Sequence, residues 1–216
     1  MSVKLPDGSL IALATAYGAV RNVTALSNQA PPVATSAAHG IQAGDYFVLK
    51  SGWQRLNDRV FRALDPDTNT FKVAGQDATD VSRFPNGGGI GSLQVVSQWT
   101  QIAQILGFTT SGGDQQFTNF SFMEEDFERQ LPTVTSAQSI QIDIADDPLL
   151  PGYIALKAAG EGRAIRALRL TLPDNSIIVY NGYVSFNETP TLTKGQVMQV
   201  RATFSLQGRP VRYAAA

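Results

Sequence analysis

The stretch RLTLPDNSIIVYNGYVSF, residues 169–186, decides the fold class of this chain. β-Branched and aromatic residues flank Pro173-Asp174-Asn175, a pattern that predicts two strands joined by a tight turn. Nothing in it reads as catalytic. Downstream, Met198, Val200, Ala202, Phe204 and Leu206 alternate with Gln199, Arg201, Thr203 and Ser205, which predicts a strand with one core face and one polar, partly cationic face. The tail RPVRYAAA (209–216) reads as an exposed arm. Upstream, SIQIDIA (139–145) places Ile140, Ile142 and Ile144 on one face of a strand. Between these strands lies the one segment with helical signals. Asp146 or Asp147 can cap, Pro148 suits a first turn, Gly160 suits a C′ position, and Leu150, Ile154 and Ala158 would form the buried stripe.

The N-terminal half continues the β pattern. GSLIALATAY (8–17) predicts a first strand and VRNVTAL (20–26) a second, while SNQAPPVATSAAHG (27–40) reads as a linker marking a change of module. From about residue 33 to 97, DYFVLKSG, DRVFRAL, NTFKVAG and IGSLQVVSQW are short strands separated by turn residues, the spacing of a small barrel or sandwich. WTQIAQILGF (99–108) fits helix or strand by period, and Gly107 with its Trp, Thr, Ile and Phe content favours strand. The polar, acidic run between residues 109 and 138 reads as a hairpin or functional loop.

Composition narrows the chemistry. With no cysteine and His39 alone, the chain offers no thiolate nucleophile, no Cys-ligated zinc and no convincing Ser-His-Asp site. His39 reads as a hydrogen-bonded turn residue. PNGGGIGS (85–92) lacks the Gly-Lys-Ser/Thr ending of a phosphate loop and reads as a flexible turn. Asp143, Asp146 and Asp147 lack calcium-loop spacing. No metal or cofactor is expected, and no enzymatic activity. The opening residues carry no basic region followed by an apolar run, so neither a standard signal nor a membrane span is expected.

Only 16% of residues are charged, and the charges are unevenly placed. Residues 111–150 hold 8 acids and one base, whereas residues 151–216 hold 8 bases and 3 acids. Such asymmetry suits complementary faces on neighbouring subunits.

The order of these elements resembles the major tail tube proteins of long-tailed bacteriophages. The resemblance runs over residues 98–212, through WTQIAQILGF, FMEEDFERQ, SIQIDIADDP, the LPDNS turn, the NGYVSF strand around Tyr183 and the closing Gly208-Arg209-Pro210. It implies a mainly β protein: an antiparallel β-sandwich or barrel of the tail-tube fold, formed by residues 1–19 and 98–216, with one flanking α-helix. Residues 20–97 then form an inserted small β module. It further implies hexameric rings that stack into a tube conducting double-stranded DNA without specific binding. The implied partners are the protein itself and the tape measure, tip and terminator proteins, with assembly in the host cytoplasm and a final place in the virion. The inter-subunit residues expected on this basis are Phe117, Glu124, Glu125, Asp126 and Glu128 from the acidic segment, and Arg163, Arg166 and Arg201 from the basic third. A glycan- or receptor-binding β-sandwich and another ring-forming tail component remain the alternatives.

Overall fold

The computed structural model describes residues 6–215. The decisive stretch forms β13 (Ile165–Thr171) and β14 (Ile177–Thr191), paired antiparallel with Leu168 opposite Tyr180. Their turn is built by its own side chains. Asn175 takes a left-handed φ of 62°, Leu172 N donates to Ser176 O, and Asp174 Oδ1 accepts from both N and Oγ of Ser176. Asn tolerates that conformation better than other non-glycine residues, which explains its position here.

Around this hairpin, β8 (Gly91–Ile102), β1 (Leu10–Tyr17), β13, β14, β15 (Gln199–Leu206), β12 (Ser139–Ala145) and β9 (Ile105–Ser111) follow one another as a curled antiparallel sheet. The fold is therefore mainly β, of sandwich or barrel type, with one helix among the described residues. Most of the alternations read from sequence point inward: Ile140, Ile142, Ile144, Val200, Ala202 and Phe204 are all buried, in one cluster with Ile11, Leu13, Leu168 and Tyr180, whereas Met198 precedes β15 and is exposed. The helix α1 (Pro151–Gly162) packs on β14, β8 and β1 and closes this core with Tyr153 and Leu156. Tyr153 meets Phe186 edge-on at 4.9 Å between ring centroids.

The remaining strands extend the same sheet beyond β8, in the order β5 (Tyr46–Ser51), β6 (Arg59–Leu64), β7 (Thr70–Val73), β4 (Val33–Thr35) and β3 (Ala25–Leu26), with β2 (Arg21–Val23) paired to the start of β8. They enclose a second cluster around Phe47, Trp53, Phe61 and Phe71. β8 itself crosses residue 97, and the second cluster takes in Ala14, Ala167, Val179, Val211 and Tyr213 from the other side. The seam is hydrogen-bonded: Asn181 Nδ2 donates to Asp58 O at 2.9 Å, and Arg62 N to Tyr213 Oη at 2.9 Å.

Several local expectations need correction. The segment read as a linker carries β4 and is held by Asn28, whose Nδ2 donates to Ala78 O and Phe84 O. Its prolines marked a bend inside a sheet rather than a change of module. The helix begins at Pro151, not Pro148, with Leu150 at the N-cap and no side-chain cap. Asp147 instead accepts from Leu149 N, capping the preceding turn. The buried stripe is Gly152, Tyr153, Leu156 and Ala159, while Ile154 and Ala158 are exposed, because the helix docks on β14 through Tyr153 rather than through Ile154. WTQIAQILGF divides at Gln104, whose φ of 56° turns the chain from one layer of the curled sheet to the other. The tail is not an exposed arm, because β16 (Val211–Tyr213) pairs with β14 and buries Val211 and Tyr213. In the glycine run read as a flexible turn, Gly88 and Gly89 are packed against Trp53, while Gly87 stays open to solvent. Trp53 Nε1 donates to Pro85 O at 2.8 Å, and a Cβ on Gly89 would fall 2.7 Å from Leu26 Cβ.

Candidate assembly surfaces

One element stands apart from both clusters. Among the described residues β10 (Gln115–Phe120) and β11 (Arg129–Thr135) pair only with each other, forming an arm outside the large sheet. Its foot is fixed by Ser136, whose Oγ accepts from Gly113 N and Asp114 N at 3.0 Å. Gly112 is needed there: its φ is 75°, and a Cβ would lie 1.9 Å from Ala137 O. With six residues in β10 at roughly 3.3 Å each, the arm carries its tip about 20 Å from that foot.

The arm is apolar where a solvated hairpin would be polar. Phe117, Phe122, Met123, Phe127, Leu131 and Val134 are all exposed. Isolated two-stranded hairpins are marginal in water, and exposed apolar patches mark interaction sites. Local bonds do give the tip a defined shape. Glu125 pairs with Arg129, Asn119 Nδ2 donates to Glu128 at 3.0 Å, and the Arg129 guanidinium lies 5.9 Å from the Phe122 ring centre. Two of the four tip acids are thus occupied within the arm. Glu124 and Asp126 are exposed and bound to nothing among the described residues.

The three basic residues expected to face these acids occupy different settings. Arg201 Nε donates to Asp143 Oδ1 of its own sheet at 2.8 Å. Arg166 lies over the Tyr17 ring at 5.7 Å, and Arg163 is an exposed C-cap with a left-handed φ of 46°. They are therefore not one patch of free cations. A second feature is the open edge of the curled sheet. β9 pairs with β12 on one side and with no described strand on the other, and Leu106 is exposed there. Such an edge is a template for a strand from another chain.

His39 is buried in a turn, where its Nδ1 accepts from Ile41 N at 3.0 Å and its ring meets Phe71 edge-on. Among the described residues no three His, Cys, Asp or Glu side chains are grouped to hold a metal, and no helix is long and apolar enough to cross a membrane. Sequence reasoning did not single out Arg55, Arg59 and Arg209. They lie together at the seam near the foot of the arm, yet about 150 positions separate Arg59 from Arg209 in the chain. The only signal was the Gly208-Arg209-Pro210 triplet.

A comparison with curated proteins finds no match. The family model described as "Phage tail tube protein, TTP" matches residues 51–215, well over half of the chain. The match opens inside the segment read as an insertion and includes β6, β7 and β8, the arm, the helix and the C-terminal strands. An exposed apolar arm, an open β-edge and this match agree on a structural component of a phage tail. This chain belongs to the phage tail tube protein family.

Proposed function

We propose that hexameric rings of this protein stack into the tube through which the phage genome leaves the particle. The observation that carries the proposal is the arm formed by β10 and β11. Its apolar side chains are exposed and the described residues leave them uncovered, so a neighbour must supply the cover. A heterologous contact of this kind, arm to a different surface on the next copy, closes into rings or propagates along an axis. The β9 edge supplies a second joint, where a neighbouring strand can satisfy the free backbone groups. In this reading Phe117, Glu124, Glu125, Asp126 and Glu128 form the donor surface. Arg163, Arg166 and Arg201 lie on subunit surfaces met by neighbours, and the tape measure, tip and terminator proteins engage the ends of the stack. DNA passes without sequence recognition, because a conduit must not hold what it conducts.

The residues 1–19 and 98–216 on one side and 20–97 on the other serve in this scheme as tube wall and outer module. A glycan-binding platform draws no support from the aromatic residues: Trp53 and Tyr46 are buried, and Trp99 is half-covered by Arg169. Electron microscopy of the purified protein, alone and with the tip and tape measure proteins, tests the proposal. Rings or tubes are the expected result. Uniformly monomeric protein under all of these conditions would sink it.

A further inference from the structure

Where the module meets the sandwich, Arg55, Asn57, Arg59, Gln76, Arg83 and Arg209 line an open cleft of about 610 Å³. Four arginines in one cleft repel one another, and the chain does little to neutralise them. Arg83 pairs with Asp80, and Asp77 in the same wall is engaged by Thr79. No ion pair among the described residues joins Arg55, Arg59 or Arg209 to a carboxylate. Arg59 is half-buried, and its guanidinium is spent on neutral groups. Its Nε donates to Arg209 O at 2.9 Å, and its Nη1 to Arg55 O at 2.7 Å and Gln76 Oε1 at 3.3 Å. Burial pulls its pKa below the ordinary arginine range, against an opposing pull from Tyr213, and the neighbouring Arg209 charge adds a smaller lowering. These bonds and the Phe61 ring, 5.1 Å from the guanidinium, hold it rigid without a carboxylate partner, the arrangement of a preformed anion receptor.

The same chain carries the matching anion. The cleft lies at the foot of the arm: Arg209 Nη2 donates to Thr135 Oγ1 at 2.9 Å, at the end of β11. The free acids Glu124 and Asp126 lie at the tip, the opposite end of the same element. An arm acidic at its tip and cationic beside its foot joins head to tail with copies of itself, and cannot satisfy both ends alone.

We propose that the acidic tip of one subunit, through Glu124 and Asp126, docks in the Arg55–Arg59–Arg209 cleft of a neighbouring subunit. The occupant is thus a second copy of this chain, and the docking surface lies at the seam between its own two hydrophobic clusters. The inference rests on the tube reading and sharpens it, since it names which surface receives the arm.

The test uses assembled full-length protein. Arg55→Glu with Arg209→Glu should lower tube yield about tenfold or more, and so should Glu124→Arg with Asp126→Arg. Both pairs in one chain should restore tubes, with each variant melting as the wild type does. Because the chain has no cysteine, Arg55→Cys with Asp126→Cys adds an independent readout. A short bis-maleimide should give a ladder of covalent multimers from the double variant in tubes, and no ladder from either single variant. Normal tubes from the Arg55→Glu/Arg209→Glu variant, loss without rescue by the exchange, or no ladder from the double variant would overturn the docking while leaving the tube reading intact. Wild-type protein that never forms rings or tubes would overturn both.

Discussion

The module around Trp53 and the arm around Phe127 contain similar residues and treat them in opposite ways. In the module, Phe47, Trp53, Phe61 and Phe71 are covered from every side, even the glycine run serving as a lid. In the arm, Phe117, Phe122 and Phe127 face solvent. A core side chain lowers the free energy of its own subunit. An exposed one raises the solvation cost of the free subunit and recovers it only in an assembly. The difference separates residues that hold the monomer from residues that hold the polymer.

The sharpest test of that separation removes the largest buried side chain. Trp53→Ala should destabilise the subunit by about 3–5 kcal/mol, read from urea unfolding of the monomer. Little change would mean that the module contributes less to the fold than its burial suggests. At the seam, burial pushes the Tyr213 hydroxyl up to about 12 from 10.0. A folded-state pKa above the unfolded value means stability that is complete below pH 10 and is lost as pH rises from 10 towards 12. The loss should be on the order of 2 kcal/mol, and Tyr213→Phe should flatten that part of an alkaline unfolding curve.

A smaller effect is expected in the turn of the decisive stretch. Asn175→Ala places an alanine at φ 62° and should cost about 1 kcal/mol, whereas Asn175→Gly should cost less. The smallest effect on the monomer belongs to the arm. Phe127→Ser should leave the unfolding free energy within about 0.5 kcal/mol of wild type while abolishing tubes in sedimentation. A large loss of monomer stability from Phe127→Ser would erase the distinction between the two regions.

Much of the β architecture was legible because strand periodicity is a local property. The inward isoleucines of SIQIDIA, the alternation in QVMQVRATFSLQG and the Pro-Asp-Asn turn each needed only a few neighbouring residues to be read. The helix was legible in existence but not in register. Two competing prolines, Pro148 and Pro151, both suit a first turn, and packing of Tyr153 against Phe186 selects the second.

The sequence by itself determined that the chain is mainly β, with one short helix and an acidic segment set against a basic C-terminal third. Tertiary structure alone decided that the Pro/Ala segment is a strand, that the final residues bury Tyr213, and that β8 runs through both hydrophobic clusters. It also brought Arg55 and Arg59 beside Arg209 and used Arg201 internally on Asp143. The physical reason is range. Alternation and turn chemistry act between near neighbours, whereas burial and charge pairing join residues far apart in the chain, which only the folded sheet brings into contact.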